Sequence, residues 1–271
     1  MEFPEGMQRI ALGLEYNGHH FHGFQKQKSA VVTVQAALEQ ALSSVANETV
    51  TLVCAGRTDA GVHATNQVIH FDTLADRPDT AWLHGVNSQL PEGLRVQWVK
   101  PVGPHFHARF SAHARSYRYL LYCSPVRPAI LSQQLSWTQW QLNAESMHAA
   151  AQYLVGEQDF SSFRAAQCQA ASPIREVQHA SILRKRELIV FEVRANAFLY
   201  HMVRNMVGAL MEVGRGAQEP LWIKSVLAHK DRSKAPAMAG PQGLYLVDVV
   251  YPAEFDLPKN EKGPLFLEND H

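Results

Sequence analysis

Two kinds of hydrophobic spacing succeed one another along this chain, and their order recurs in both halves; no other feature constrains the fold as tightly. Apolar residues at every second position mark strands, and apolar residues at every third or fourth position mark helices. In the first half, Arg9 to Tyr16 alternates and stops at Asn17-Gly18, which reads as a strand ending in a turn. Val34 to Ala46 has helical spacing, with Thr33 placed to cap its first turn. Val50 to Ala55 is β-branched and apolar, and Asn66 to Asp72 alternates again. Asp79 to Gln89 reads as a second helix and Leu94 to Val99 as a further strand. The order is βαββαβ.

The second half repeats that order more loosely. Ser116 to Cys123 is a strand, and Ala144 to Leu154 is a helix that begins at Asn143. Arg175 to Arg184 and Leu188 to Ala195 form a strand pair joined at Lys185-Arg186-Glu187. Leu199 to Val213 is the clearest helix, because Leu199, Met202, Val203, Met206, Val207, Leu210 and Met211 form one stripe. A shorter helix from Pro220 and a strand at Leu244 to Val250 complete the series. This predicts an α+β protein, two βαββαβ-like halves forming a mainly antiparallel central sheet flanked by helices. Pro101 to Pro104 is the best internal boundary, giving halves of residues 1–104 and 105–271.

Composition narrows the class. With 46% apolar and 18% charged residues in 271, the chain is not a disordered one. Its three cysteines, Cys54, Cys123 and Cys168, are scattered and form no CxxC pair, so neither a disulfide framework nor a cysteine zinc site is expected. The opening residues lack a secretory pattern, and the longest apolar segment, Ala197 to Val213, is interrupted by His201, Arg204, Asn205 and Glu212. A soluble cytoplasmic protein is the expectation.

Charge is neutral in sum, 25 basic against 25 acidic residues, but not in distribution. Gly93 through Ala144 contains no aspartate or glutamate. It carries Arg95, Lys100, Arg109, Arg115, Arg118 and Arg127, with His105, His107, His113 and interleaved Phe106, Phe110, Tyr117, Tyr119 and Tyr122. Arginines among stacking rings suit a phosphate backbone and unstacked bases. An anion-binding surface is therefore expected, for RNA, DNA or a polyanionic metabolite; the plainer reading is a basic face paired with acids elsewhere.

The sharpest local feature is Cys54-Ala55-Gly56-Arg57-Thr58-Asp59-Ala60-Gly61-Val62-His63. It sets one carboxylate in a glycine-flanked turn at the end of an apolar strand, where a ligand can approach the backbone closely. If the strand continued, Arg57 and Asp59 would share a face, and the guanidinium would favour the ionised carboxylate that a nucleophile or base requires. An Asp-containing turn with a routine arginine pair is the alternative. The loop lacks the GKS/T ending of a phosphate cradle, and there is one Asp-Ala-Gly where an aspartic protease needs two carboxylates. Histidines at His19, His20, His22, His105 and His107 lack metal-ligand spacing, so no metal is expected.

The stretch AGRTDAGVH, with HARFSAHARSYRY (His107 to Tyr119) and FLYHMVRNMVG (Phe198 to Gly208), resembles the bacterial tRNA pseudouridine synthase A family. The resemblance extends to Gly23-Phe24-Gln25, Gln35, NSQLP, DFSSFRA and the closing YPxxFDLP and GPLFL segments. It implies the pseudouridine synthase fold and an isomerisation of uridine at positions 38, 39 and 40 of the tRNA anticodon stem-loop, without cofactor. The target base must leave its stack before a carboxylate can reach the sugar.

By that resemblance Asp59 is the catalytic carboxylate, acting either by attack on C1′ or by removing the C2′ proton to give a glycal. Arg57 assists flipping and holds the extruded nucleotide's phosphate, and Tyr117 packs on the uracil. Arg204 matches the arginine that the family pairs with the catalytic aspartate. The tRNA-contacting positions are Arg77, the segment Phe106, His107, Ala108, Arg109 and Phe110, and the segment Gln167, Cys168, Gln169, Ala170 and Ala171. The family is homodimeric, with tRNA lying across both subunits. The rival readings are an RNA-binding protein without catalysis and an aspartate-dependent hydrolase of a small polyanion.

Overall fold

The computed structural model describes residues 4–267. Its regular elements, in chain order, are β1 (Gln8–Tyr16), α1 (Val34–Ala46), β2 (Leu52–Cys54), β3 (His63–Thr73), β4 (Leu94–Val102), β5 (Ala114–Cys123) and β6 (Ser136–Thr138). There follow α2 (Ala144–Gln152), β7 (Gly156–Asp159), β8 (Ile174–Lys185), β9 (Leu188–Ala195), α3 (Met202–Gly214), α4 (Trp222–His229) and β10 (Leu244–Val250). The class is α+β with mainly antiparallel pairing, as the hydrophobic spacing predicts. Two compact units result: the chain up to His113 together with the segment from Tyr245 onward, and Ala114–Leu244.

In the first unit β1 is flanked by β3 and β4, antiparallel to both, with Leu12 opposite Ile69 on one side and Val99 on the other. The second edge of β3 is divided. Tyr245 and Leu246 of β10 run parallel to His63 and Ala64, while β2 pairs antiparallel with Phe71, His70 and Ile69. The Thr33 hydroxyl accepts the Ala36 N–H at 3.3 Å and starts α1, and Asn47 ends it in the left-handed region at φ 59°. The helix expected over 79–89 is present over residues 79–87, with a π-helical turn, Ala81–Gly85, at its centre and the buried Trp82 packed against Phe71. At its end the Asn87 side chain ties it to β4, donating to the Val96 carbonyl at 2.9 Å and accepting the Val96 N–H at 2.8 Å.

In the second unit the strands run β5-β9-β8-β7, all antiparallel, with β6 parallel to β5. Arg186, at φ 55°, makes the β8–β9 turn. Strands β6 and β7 have too few residues to give a period and escape the sequence reading. The helix expected from Leu199 starts at Met202, because His201 at φ 62° breaks helical geometry there. The boundary expected at residue 104 falls inside the first unit, where Phe106 is hydrogen-bonded to Arg9 of β1 and Ala108 to His70 of β3.

Candidate active site

The loop 55–62 carries Arg57 and Asp59 from the end of β2 to the start of β3. Strand β2 stops at Cys54, so the period-two argument that put Arg57 and Asp59 on one face does not reach them. Arg57 is exposed and Asp59 half-buried. The Asp59 carbonyl accepts the Val62 N–H at 3.1 Å across Ala60 and Gly61, and Gly61 takes φ 79°. That is the third position of a turn of type II kind, which only glycine occupies without strain. Gly18 is required for close approach: a Cβ there would lie 2.1 Å from the Val62 carbonyl oxygen. Its N–H donates to His63 Nδ1 at 3.0 Å, and His63 stacks on Tyr245 at 4.6 Å.

The segment 106–111 is a turn rather than a uniformly exposed contact strip. Phe106 and Ala108 are fully buried, in one core cluster with Ala11, Ala55 and Val68. These two side chains therefore offer no surface to a ligand, and anchoring is what they do. Arg9 grips Asp72 with two contacts of 2.7 Å and donates to the Phe106 carbonyl at 2.7 Å. Ala108 donates its N–H to His70 Nδ1 at 3.1 Å, and its carbonyl accepts the Tyr251 hydroxyl at 2.6 Å. His107 Nδ1 accepts from Arg109 and Phe110 N–H at 3.2 and 3.1 Å, so the imidazole must be unprotonated there. Its ring stacks on Phe110, and Arg109 lies 5.5 Å from that ring's centre. Phe110 is 75% exposed.

Burial pushes the His70 imidazole down to about 4, reinforced by the Arg9 guanidinium and by His107. His107 is lowered for the same leading reason, then by Arg9. Arg77 is exposed, with its Nε donating to the Val45 carbonyl at 3.2 Å near the end of α1.

Tyr117 and Arg204 belong to the second unit. Tyr117 is a buried residue of β5, opposite Val193, with its ring edge-on to Phe198 at 5.0 Å. Arg204 lies in α3, whose residues from Met202 to Leu210 are all buried, so Arg204 and Asn205 are covered along with the apolar stripe. Its Nε donates to the Ala239 carbonyl at 2.9 Å, Asn205 donates to the Phe163 carbonyl at 2.8 Å, and Gly208 leaves room for Ala237.

In the loop from Gln167 to Ala171, Gln167, Gln169 and Ala171 are exposed and Cys168 and Ala170 half-buried. Arg164 braces it by donating to the Cys168 and Ala170 carbonyls at 2.9 and 2.7 Å. Burial raises the Cys168 thiol, but N–H groups of Tyr200 and Ala170 and the Arg164 guanidinium outweigh it, and the net shift is downward.

The acid-free stretch is only partly an exposed basic surface. Arg118 pairs with Glu192 at 2.9 Å and Lys100 with Asp256 at 2.6 Å, acids supplied from outside the stretch. Arg115 is buried and donates to the Asn196 carbonyl at 3.0 Å. Arg109 and Arg127 are exposed. Among the described residues no group of three or more His, Cys, Asp or Glu could hold a metal ion.

Gln67, Tyr16 and Thr58, which hold the loop from beneath, were not legible as functional. The usable signal was Gln67, a polar residue on the same strand phase as Ile69 and Phe71.

With a carboxylate presented between glycines on an α+β scaffold, comparison with known proteins fixes the class. The chain belongs to the tRNA pseudouridine synthase family, whose pattern matches residues 14–111 and 150–252. It is 54% identical to tRNA pseudouridine synthase A of Psychromonas ingrahamii over 260 residues, 96% of this chain and 99% of that one. It is 53% identical to the protein of that name from Haemophilus influenzae, covering 96% and 97%, and 55% identical to that from Cronobacter sakazakii, covering 96% of each.

Proposed function

We propose that this chain isomerises uridine to pseudouridine at positions 38, 39 and 40 of the tRNA anticodon stem-loop. The observation that carries the reading is the glycine-bounded Asp59 turn, within a chain more than half identical along nearly its whole length to tRNA pseudouridine synthases A. In the reaction the N1–C1′ bond breaks and a C1′–C5 bond forms. The C5 proton leaves and N1 gains one, so product and substrate are isomers. Asp59 is the catalytic carboxylate, and both attack on C1′ and removal of the C2′ proton are open to it. Arg57 holds the phosphate of the flipped nucleotide, Tyr117 takes the part of the ring on the uracil, and Arg204 is the second catalytic residue. Arg77, the exposed part of the 106–110 turn and the Gln167 to Ala171 loop meet the tRNA.

The same reading includes a homodimer and a cytoplasmic setting. Both derive from the family resemblance. No helix among the described residues is long and apolar enough to cross a membrane.

The test is tritium release from tRNA labelled at uridine C5. Asp59→Asn is expected to reduce release to background while leaving fold and tRNA affinity nearly intact. Release near the wild-type rate would remove Asp59 from the chemistry. A wild-type protein that binds tRNA without forming pseudouridine would favour the RNA-binding rival.

A further inference from the structure

We propose that Gln67 and Tyr16 are positioning residues for the Arg57–Asp59 segment, an assignment that rests on reading Asp59 as the catalytic carboxylate. The β2–β3 ladder runs from Leu52 opposite Phe71 to Cys54 opposite Ile69, and continues with the Ala55 N–H donating to the Val68 carbonyl at 2.8 Å. In that register the next partner of Gly56 is Gln67. There the ladder passes to a side chain. Gln67 Oε1 accepts the Gly56 N–H at 3.3 Å, and Nε2 donates to the Gly56 carbonyl at 2.6 Å. A carboxamide offers the same donor and acceptor as a peptide unit, so both backbone polar groups of Gly56 are fixed where the loop leaves the sheet.

The same Nε2 lies 3.3 Å from the Tyr16 hydroxyl, which shares a hydrogen bond of 2.8 Å with the Thr58 hydroxyl. Thr58 in turn accepts the Phe24 N–H on its carbonyl at 3.0 Å. Gly56 and Thr58, the two neighbours of Arg57, are thus joined through one chain of uncharged groups. Gln67 is 0%, Tyr16 3% and Thr58 7% exposed.

Packing alone would favour leucine at position 67, in phase with Ile69 and Phe71. A buried carboxamide is costly unless its hydrogen bonds are made. Those of Gln67 go to Gly56 and to the hydroxyl that reaches Thr58. The network therefore serves the geometry of the loop, where a displacement of about 1 Å costs roughly 100-fold in rate.

The experiment measures single-turnover pseudouridine formation, tRNA affinity and thermal unfolding for wild type, Gln67→Leu and Tyr16→Phe. The expected result is a rate lower by about 100-fold for Gln67→Leu and about 10-fold for Tyr16→Phe, which loses one hydrogen-bonding group. Dissociation constants for tRNA are expected to remain within about twofold, with the rate loss persisting where the variants are fully folded. A purely structural role moves the melting temperature and leaves that rate alone. Folded variants that both react at the wild-type rate overturn the inference while Asp59 keeps its role. If Gln67→Leu does not fold, Tyr16→Phe, which deletes a single oxygen, decides alone. A wild-type protein that forms no pseudouridine overturns the reading of Asp59 and this inference with it.

Discussion

The loop 55–62 and the turn 106–111 rest on the same patch of core, where Ala55, Phe106 and Ala108 pack with Ala11 and Val68, yet different chemistry fastens them. Gly56 and Thr58 are held by a carboxamide and two hydroxyls, groups that do not titrate near neutral pH. The turn is held at Ala108, Arg109 and Phe110 by two imidazole nitrogens that accept hydrogen bonds only while unprotonated. The supports of Gly56 and Thr58 are indifferent to acid, whereas those of Ala108, Arg109 and Phe110 are lost once the imidazoles are protonated. The difference matches the work proposed for them: a fixed carboxylate needs constant geometry, whereas a surface that meets RNA tolerates adjustment.

Acid is accordingly the strongest way to separate the two regions. The folded-state pKa of His70 is depressed to about 4 from 6.5, so between those values the unfolded chain binds the proton first. The stabilisation is complete above pH 6.5, is lost as pH falls towards 4, and is flat below it. A shift of that size corresponds to roughly 3 kcal/mol. Urea unfolding of wild type and His70→Asn across this range should show a shallower pH dependence in the variant, whose Oδ1 can replace the Nδ1 acceptor. Identical slopes would contradict the assignment. Hydrogen exchange sharpens the contrast: protection at the Ala108 amide should fall relative to the Gly56 and Phe24 amides as the pH approaches 4, where His70 takes up its proton.

How much of this was visible in the sequence differs between the two regions. The Arg57–Asp59 motif stood out because two glycines and a carboxylate follow an apolar strand, and Thr33, Asn143 and the β8–β9 turn were located by local chemistry. The supports were not visible. Gln67 reaches Gly56 across a register that depends on where β2 stops, and Tyr16 joins Thr58 from 42 positions away. In the turn, pattern alone could not divide Phe106 and Ala108, which face the core, from Arg109 and Phe110. Residues 93–144 hold no acid, but the partners of Arg118 and Lys100 come from distant segments. Composition records the charges and not their pairing.

The next effect concerns the ring that the turn displays. Phe110 is exposed and steadied by the face of His107 at 4.3 Å, an arrangement suited to stacking on a base. Stacking of one base is worth about 1–3 kcal/mol by alanine substitution. Phe110→Ala should weaken tRNA binding by roughly 10-fold in a filter-binding measurement, with the single-turnover rate at saturating tRNA unchanged. That is the reverse of the pattern expected for Gln67→Leu. A lower saturating rate with unaltered affinity would dissolve the division of labour between turn and loop.

The smallest effect separates an exposed cation from a mostly buried one. A cation that meets a phosphate releases a condensed counterion, and each such contact steepens the fall of affinity with salt by about one unit of log–log slope. Arg109, exposed beside the Phe110 ring, is placed for such a contact. Arg118, in β5, is already neutralised by Glu192, with both side chains mostly buried. Arg109→Gln should therefore flatten the salt dependence of tRNA binding by about one, and Arg118→Gln should leave it unchanged. Equal flattening by both would mean that the basic stretch acts as a diffuse field, so that the turn has no special standing within it. Flattening by Arg109→Gln alone would locate recognition in the segment that the imidazoles hold in place, and would tie its salt dependence to the same titration that loosens its backbone.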